Sequence, residues 1–374
     1  MAITFHSIPT DYSPSDNPLT YVWSSDQTGQ QNFYYKVETI LGVATVSEDI
    51  VYLEVSDRSH IDVSPIISKL LNLPRITSDL STSLDIIDSV SIKVTEVYGD
   101  PPTDQATLTS STSNVFKASL GAEQWEDTNF LTTYVDTKWL TDTPTNTFRV
   151  IRGQDAISAI LTTFPQAIEI LFYDSAGVLL DTYNGLNEFN AYWQINVSSD
   201  NMDFIYTGLD YDDVASFTVQ VGSSELLTFI YVDDYCFGIH ELVWLNKYGT
   251  FDQYPIEHNV TSNTDIESRS YRKKYGSWID LRYSYDHNSS GNIDFEKRMT
   301  DKGSLVTNYM TDTIQNWFVT AYESPQCYLY DPTGLLFRTT LTDTNYRKKQ
   351  GRFDELIMEE MKYEKTMTRK SVGL

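Results

Sequence analysis

The residue types that carry most protein chemistry are present in this chain, but their spacing matches no reactive motif. The five histidines, His6, His60, His240, His258 and His287, include no pair four residues apart, the spacing at which one helix face presents two zinc ligands. The sequence has no Cys-x-x-Cys pair, no Gly-x-Ser-x-Gly nucleophile motif and no glycine-rich phosphate-binding loop. We therefore predict a protein that is not an enzyme, with no catalytic residue, no metal site and no cofactor.

One stretch, DHNSSGNIDFEK at residues 286–297, follows the ligand spacing of a calcium-binding loop. Such a loop needs a bidentate Glu at its twelfth position, because calcium is held by anionic oxygens, and this chain has Lys297 there. The flanking sequences LRYSYD and IDFEKRM alternate as strands do. We therefore interpret the stretch as a β-hairpin that is closed by residues 288–291.

Acidic clusters occur at residues 209–214 (LDYDDV) and 232–235 (VDDY). Two carboxyl groups beside aromatic rings that stack on sugars would suit a glycosidase, so a glycan-degrading enzyme is one alternative. Acidic turns between strands are the more common origin of such clusters, and we assign these residues no catalytic role.

The net charge of −25 is concentrated in the first part of the chain. Up to residue 240 there are 9 Lys and Arg residues against 33 Asp and Glu residues, whereas the remainder has 18 against 19. Because phosphate groups bind to cations, we expect neither sequence-specific nucleic-acid binding nor attachment to an anionic membrane. Two basic runs, Arg272-Lys273-Lys274 and Arg347-Lys348-Lys349, are candidates for docking onto an acidic neighbour, such as the first 240 residues of another copy.

The composition is that of a folded protein, with 40% apolar and 13% aromatic residues. Cys236 and Cys327 are too few for a disulfide framework, which fits synthesis and folding in a reducing cytoplasm. No uninterrupted apolar run reaches about 18 residues, so we expect no membrane-spanning segment.

Most of the sequence consists of β-branched and aromatic runs separated by short turns, as in SVSIKVTEVYG and SFTVQVGSSELLTFIYVDD. This pattern predicts a mainly β protein with two or three antiparallel β-sandwich or open-barrel-like domains and a few short helices. We place these domains at 1–145, with a projecting arm around 98–119, at 146–236 and at 237–374.

Two segments carry helix signals. In DVSPIISKLLNL, Pro65 follows Ser64 in the first turn, where its missing N–H costs no hydrogen bond. In TDTIQNWFVTAYES, residues 311–324, apolar residues including Trp317 and Phe318 form one stripe. Residues 353–370 suit either a helix or a return strand.

The aromatic residues, with 26 Tyr and 7 Trp, give the most information about function. Most are expected in strand cores, but large amphipathic side chains in polar surroundings are typical of protein interfaces. With the two basic runs, the candidates for a subunit interface are Trp244, Tyr248, Tyr254, Trp278 and Tyr283. In HELVWLNKYGTFDQYPIEH, residues 240–258, we predict a hairpin that turns at Tyr248-Gly249 near a subunit contact.

Three parts of the sequence share a pattern with known proteins. They are NPLTYVWSSDQTGQQNFYYKVETI (17–40) with IDVSPIISKLL (61–71), YVDTKWLTDTPTNTFRVIRGQDAISAIL (134–161), and CFGIHELVWLNKYGTFDQYPI (236–256) with TDTIQNWFVTAYESPQCYLY (311–330). The most specific part is WLNKYGTFD, residues 244–252. Together they resemble structural virion proteins of tailed bacteriophages that infect Bacteroidetes hosts, crAss-like phages included.

The resemblance implies a β-rich subunit that is repeated around the axis of a phage tail or neck as part of a ring. The expected partners are copies of itself and adjoining virion proteins, and the expected location is the virion, after synthesis in the host bacterial cytoplasm. A second hypothesis is a glycan-binding receptor-recognition module of the tail, and a glycan-degrading enzyme is a third. The oligomeric state would distinguish the three hypotheses. A ring supports the first, a trimer with an elongated tip supports the second, and a monomer with an acidic cleft supports the third.

Overall fold

The computed structural model of this chain describes residues 3–53, 58–72, 76, 81–83, 86–121, 125, 129–152, 154–186, 191–198, 201, 210–232, 239–257, 259–273, 277–279, 281–284, 291–342, 358–366 and 369–372. Strands account for 56% of the structure and helices for 10%, which confirms the predicted mainly β class. The sheets are mostly antiparallel and the helices are few and short. No helix within these ranges is long and apolar enough to cross a membrane.

The chain divides into two compact units. Unit 1 comprises residues 1–232 and 245–253, and unit 2 comprises residues 233–244 and 254–374. The predicted boundary at 145 lies inside unit 1, and the one at 237 lies close to the first residues of unit 2. Unit 1 has 10 Lys and Arg residues against 32 Asp and Glu residues, and unit 2 has 17 against 20. The acidic excess is therefore a property of unit 1.

The first half of unit 1 contains two sheets that share one core. Its elements are β1 (Ile3–Ser7), β2 (Ser13–Pro14), β3 (Thr20–Ser25), β4 (Tyr34–Leu41), β5 (Ala44–Val51), β6 (Arg58–Asp62), α1 (Ser64–Leu70), β7 (Ser81–Ser83), β8 (Ile87–Tyr98), β9 (Thr103–Thr109) and β10 (Ser113–Phe116). One sheet has the order β1-β3-β6 and the other β2-β10-β8-β4-β5, with β9 also paired to β8. Buried residues of both sheets and of α1, such as Trp23, Tyr35 and Ile67, form a single hydrophobic core, as in a β-sandwich.

The stretch 98–119, which the sequence suggested as a projecting arm, contributes strands to the second of these sheets instead. Strands β9 and β10 both pair antiparallel with β8, with Thr109 opposite Lys93 and Ser113 opposite Val90. The side chains of β9 are mostly exposed, so its Thr, Asp and Gln residues lack the apolar alternation of a half-buried strand. For this reason the sequence suggested an arm outside the sheets.

The second half of unit 1 forms two further sheets. Its elements are α2 (Phe130–Thr133), β11 (Thr147–Ile151), β12 (Ile157–Thr162), β13 (Ala167–Tyr173), β14 (Leu179–Leu186), β15 (Ala191–Asn196), β16 (Ser216–Val221), β17 (Leu227–Val232) and 3-10 turns at Pro144–Asn146 and Tyr211–Asp213. The orders are β11-β17-β16-β13-β14 and β12-β15-β7. Gly177 and Gly222 have positive φ in the turns after β13 and β16, a conformation that glycine adopts more readily than other residues.

Unit 2 is built mainly on one large antiparallel sheet. Its elements are β18 (His240–Leu245), β19 (Phe251–Ile256), β20 (Asn259–Lys273), β21 (Ser277–Ile279), β22 (Arg282–Ser284), β23 (Gly291–Val306), α3 (Asp312–Phe318), α4 (Thr320–Glu323), β24 (Cys327–Tyr330), β25 (Leu336–Leu341), β26 (Glu360–Lys365) and β27 (Arg369–Val372). The order is β19-β18-β24-β25-β26-β23-β20, with β27 also paired to β23 and β21 paired to β22. Of these strands, Leu245 and residues 251–253 belong to unit 1.

Three sequence predictions fall within unit 2. Helices α3 and α4 lie inside the predicted helix at 311–324, and the Thr311 side chain caps α3 by accepting from the Ile314 N–H at 3.4 Å. In the region 353–370, which suited helix or strand, the described residues form β26 and the start of β27. Residues 291–297 of the calcium-like stretch begin β23, and residues 285–290 lie outside the described ranges.

Candidate interaction surfaces

Strands β18 and β19 form the predicted hairpin. Its turn is closed by the Asn246 N–H, which donates to the Thr250 carbonyl at 2.7 Å, and by the Gly249 N–H, which donates to the Asn246 carbonyl at 3.2 Å. Gly249 has a φ of +74°, a conformation that residues with a side chain disfavour. A Cβ here would also overlap the backbone carbonyl oxygen of Lys117. The turn therefore requires glycine for two independent reasons.

The tip of this hairpin, residues 245–253, is held in unit 1 by a buried polar network. The Asn246 amide donates to the Leu140 carbonyl at 2.9 Å and to the Asp252 carboxylate at 2.8 Å. The Thr141 hydroxyl donates to the same carboxylate oxygen at 2.7 Å. Asp252 is fully buried, so these donors replace the water that its charge would otherwise bind. The Asp252 carboxylate thus anchors the tip and has a structural role.

Tyr248 lies in the same tip, and its phenol acts as a hydrogen-bond donor. The hydroxyl donates to Asp142 Oδ1 at 2.6 Å and lies 3.1 Å from the Tyr134 hydroxyl. Lys247 forms an ion pair with the other oxygen of the Asp142 carboxylate. Burial, followed by the negative charge of Asp142, raises the pKa of Tyr248 far above its ordinary value. A phenol that is held neutral in this way is a poor base, and its contacts stabilise the fold.

Trp244 and Tyr254 belong to the aromatic core of unit 2. The Trp244 ring lies 5.1 Å from the Trp317 ring and 5.7 Å from the Phe318 ring, and Tyr254 lies 5.1 Å from Phe318. The Trp244 indole N–H donates to the Thr320 hydroxyl at 3.0 Å, which satisfies the single polar atom of the side chain. The apolar stripe predicted for 311–324 therefore packs against this hairpin's aromatic residues.

Three of the aromatic interface candidates are corrected by these contacts. Trp244, Tyr248 and Tyr254 are almost completely buried within the chain itself, so their side chains have no surface to offer a neighbouring subunit. Polar residues such as Asn246 and Asp252 flank them in the sequence and suggested a wet environment. Those polar residues are themselves buried in the network of the tip.

The longest hairpin of the structure, β20–β23 in unit 2, is exposed mainly along β20, the last strand of the sheet. The two strands pair antiparallel through 15 register positions. At about 3.4 Å per residue, the 15 residues of β20 extend over roughly 50 Å. The side chains of residues 261–272 are all exposed, and β21 and β22 lie in the segment that joins the two long strands. We call β20 to β23 the ribbon.

A β-bulge in the ribbon brings two exposed aromatic rings together. The register shifts between Arg269 and Ser270, which makes Phe295 an additional residue on β23. The Phe295 ring lies 6.1 Å from the Tyr271 ring, and both side chains are exposed. In the joining segment, Trp278 is 73% exposed and Leu281 is 95% exposed. Large apolar side chains on the surface of a polar strand pair indicate an interaction surface.

The part of the ribbon nearest its turn carries more cations than anions. Its described residues, 269–273, 277–279, 281–284 and 291–298, are called the ribbon end below. They include six Lys and Arg residues and two acidic residues. One of the two acids, Glu296, is shared by Arg269 at 3.4 Å and Arg298 at 3.0 Å. The ribbon end is therefore a cationic region in a strongly acidic chain.

Four of the eight remaining interface candidates belong to the ribbon end. Trp278 on β21 is the register partner of Tyr283 on β22. Arg272 is exposed on β20, and Lys273 is the last residue of that strand. Outside the described ranges lie Lys274, Arg347, Lys348 and Lys349.

Among the described residues, the acidic and metal-ligating side chains form no catalytic or metal-binding cluster. Asp210, Asp212 and Asp213 are exposed on a loop and a 3-10 turn, while residues 233–235 lie outside the described ranges. Within those ranges no group of three or more His, Cys, Asp or Glu side chains is placed to hold a metal ion. Burial raises the pKa of Cys327 to about 11, so its thiol is protonated and a weak nucleophile at neutral pH.

Neither a protein-family profile nor a curated protein matches this sequence. The functional assignment therefore depends on the surfaces of the chain itself. The exposed residues Tyr271, Leu281 and Phe295 were not among the sequence candidates. Their signal in the sequence is weak, because it consists of single apolar residues within the long polar strands β20 and β23 and the segment between them.

Proposed function

We propose that this chain is a structural, non-enzymatic subunit of a tailed-phage virion. In this role it forms part of a ring in the tail or neck through contacts with copies of itself and with adjoining virion proteins. The resemblance of residues 244–252 and the other matching stretches to such proteins supports the proposal.

The observation that carries the proposal is the exposed ribbon of unit 2. Among the described strands, residues 291–295 of β23 pair with β20 alone, and a strand pair of this kind buries little apolar surface and gains little stability by itself. Tyr, Trp and Arg are enriched at interface hot spots, and the ribbon end exposes Tyr271, Trp278 and Arg272. A partner that covers the ribbon would supply the missing stability and would bury these exposed side chains.

The distribution of charge suits a subunit that contacts its own copies. A closed ring of identical subunits uses heterologous contacts, in which one face of a subunit meets a different face of the next. Unit 1 has a net charge of −22, whereas the ribbon end has a net charge of +4. The same chain thus supplies two unlike surfaces of opposite sign, as a head-to-tail contact requires.

The proposal is tested by quantifying this chain in density-gradient-purified virions of the phage that encodes it. We expect its peptides in intact particles at a fixed ratio to other tail and neck proteins, and antibody labelling at one level of the particle. Absence from purified virions would contradict the proposal. So would turnover of a substrate by the isolated chain that is abolished by replacing two converging carboxyl groups.

A second function, glycan binding, is favoured by the high exposure of Trp278. An exposed indole offers an apolar face on which a sugar ring can stack beside polar groups that accept hydrogen bonds. Saturable binding to host polysaccharide that is lost in Trp278→Ala would favour this function. A lack of binding by the wild-type chain would leave the structural role as the better account.

A further inference from the structure

We infer that the ribbon end of one copy binds to the β14 edge of unit 1 in a second copy. The inference rests on the self-association in the proposed function and deepens it, because it names the two surfaces through which subunits meet. We define the β14 edge as residues 178–180 with the acidic residues around them, described next.

The β14 edge has an apolar centre. Strand β14 is the last strand of the sheet β11-β17-β16-β13-β14. Val178, Leu179 and Leu180 are all exposed at its beginning. Consecutive exposed aliphatic residues on an edge strand are uncommon, because an open edge invites pairing with another chain and is usually protected by charges or proline.

Acidic residues lie at the same end of the sheet as this apolar centre. Leu179 is the register partner of Tyr173, which is the register partner of Ser216. The Ala215 N–H donates to the Tyr173 carbonyl at 2.8 Å, which places the 210–215 loop at the same end of the sheet as the β13–β14 turn. The acidic residues at this end are Asp174, Asp181, Asp210, Asp212 and Asp213.

The two surfaces are complementary in composition. Stable interfaces combine an apolar centre with a polar rim, and opposite charges across the rim increase specificity and the association rate. The ribbon end presents Tyr271, Phe295 and Trp278 among cations, and the β14 edge presents aliphatic residues among anions. Because one chain carries both halves, a second copy can form the contact and can repeat it from subunit to subunit.

Strand β5, an edge strand of another sheet in unit 1, fits the ribbon end less well. It also exposes an apolar residue, Ile50, near Glu48 and Asp49. However, Lys36 lies 3.5 Å from the Glu48 carboxylate and reduces the negative charge there. At the β14 edge, Arg152 donates to the Val214 carbonyl at 2.6 Å and also offsets part of the negative charge. The five aspartates there still outnumber the two acidic residues beside Ile50, so charge favours the β14 edge.

A reciprocal charge exchange tests the contact in the full chain. Arg272→Glu/Arg282→Glu reverses two exposed charges of the ribbon end, and Asp212→Lys/Asp213→Lys reverses two exposed charges of the β14 edge. Each variant alone places like charges at the contact, so we expect self-association at least about 10-fold weaker than that of the wild type. In an equimolar mixture, the introduced glutamates can face the introduced lysines and the unchanged arginines can face the unchanged aspartates, so association should return.

The measurement is sedimentation velocity over a range of protein concentrations. The matched control is Arg338→Glu/Lys362→Glu, which makes the same charge change on exposed residues of β25 and β26 and should associate as the wild type does. Wild-type association in either single variant, or no recovery in the mixture, would overturn the inference. A wild-type chain that stays monomeric would overturn it as well, while its presence in virions would still support the proposed function.

Discussion

The tip at residues 245–253 and the ribbon end contain similar residue types, but those of the tip are buried and those of the ribbon end are mostly exposed. The tip holds Lys247, Tyr248 and Asp252, and the ribbon end holds Tyr271, Arg272 and Asp294. Tyr248 is 2% exposed and donates to a carboxylate of its own chain, whereas Tyr271 is 50% exposed on a strand of the ribbon. The tip therefore stabilises a unit, and the ribbon end leaves the same chemistry on the surface.

This difference shows that composition alone does not identify an interface. The partners of Tyr248 are Tyr134 and Asp142, which precede it by 114 and 106 positions. Polar and aromatic residues that find such distant partners become core, because a buried polar group must be satisfied inside the protein. Along β20, where no segment of the described ranges covers residues 261–272, similar residues stay on the surface.

The largest effect on stability is expected from Gly249→Val in the tip. The substitution combines a positive φ with overlap of the Cβ and the Lys117 carbonyl oxygen, so the free energy of unfolding of unit 1 should fall by about 4 kcal/mol or more. Urea denaturation followed by tryptophan fluorescence measures the change.

Gly177→Val is the matched control for this substitution. Gly177 has a φ of +77° but no atom within 4 Å of a Cβ built there. Gly177→Val should therefore lower the free energy of unfolding only by the backbone strain, about 1–2 kcal/mol. Equal destabilisation by the two variants would contradict the close packing of the tip.

Tyr248→Phe and Tyr271→Phe should also differ in the free energy of unfolding, by less than the two glycine variants do. Removing the Tyr248 hydroxyl takes a donor from the Asp142 carboxylate in a buried site, which should cost about 1–3 kcal/mol. Removing the Tyr271 hydroxyl from the ribbon should change the free energy of unfolding by less than about 0.5 kcal/mol. Similar values for both variants in the same urea experiment would remove the distinction between the two hairpins.

The tip should also make stability depend on pH in alkaline solution. The pKa of Tyr248 is raised above the ordinary value of 10.0, mainly by burial, so the folded chain keeps a proton that the unfolded chain loses. The contribution of this phenol to the free energy of unfolding is complete below pH 10. It decreases as the pH rises further, by up to about 1.4 kcal/mol per pH unit.

Tyr248→Phe should reduce this slope when unfolding is measured from pH 9 to pH 11. Tyr192→Phe serves as a comparison, because burial also raises the pKa of Tyr192, whose hydroxyl donates to the Gly249 carbonyl at 3.1 Å. Each variant is expected to remove about one proton from the difference between the unfolded and folded states. An unchanged slope in Tyr248→Phe would show that this phenol titrates normally.

The smallest effect on stability is expected from Trp278→Ala in the ribbon. The side chain is mostly exposed, so the free energy of unfolding should change by less than about 0.5 kcal/mol. Self-association should nevertheless weaken, because exposed tryptophan is a frequent hot spot in interfaces. A loss of more than about 2 kcal/mol in unfolding would show instead that the indole packs within its own chain.

Local features of the fold could be predicted from the sequence. Alternating β-branched and aromatic runs predicted a mainly β protein, Ser64-Pro65 marked the start of α1, and Tyr248-Gly249 marked a turn. These signals depend on a few adjacent residues and on the strand and helix periods. Long-range pairing does not alter them.

Features that depend on distant segments were not predictable. The burial of Trp244 depends on Trp317 and Phe318, and the assignment of 98–119 to a sheet depends on pairing with β8. Likewise, Phe295 and Tyr271 become neighbours only through the bulge between β20 and β23. The candidate surface was therefore found in part from the basic run at Arg272, and its aromatic residues were found from the strand pairing.

The most direct test of the central claim is an electron-microscopy reconstruction of the assembled particle that contains this chain. We predict a ring of repeated copies in the tail or neck, with the ribbon of each copy covered by a neighbouring subunit. Isolated copies without repeating contacts, or a ring in which every ribbon extends into solvent, would contradict the account.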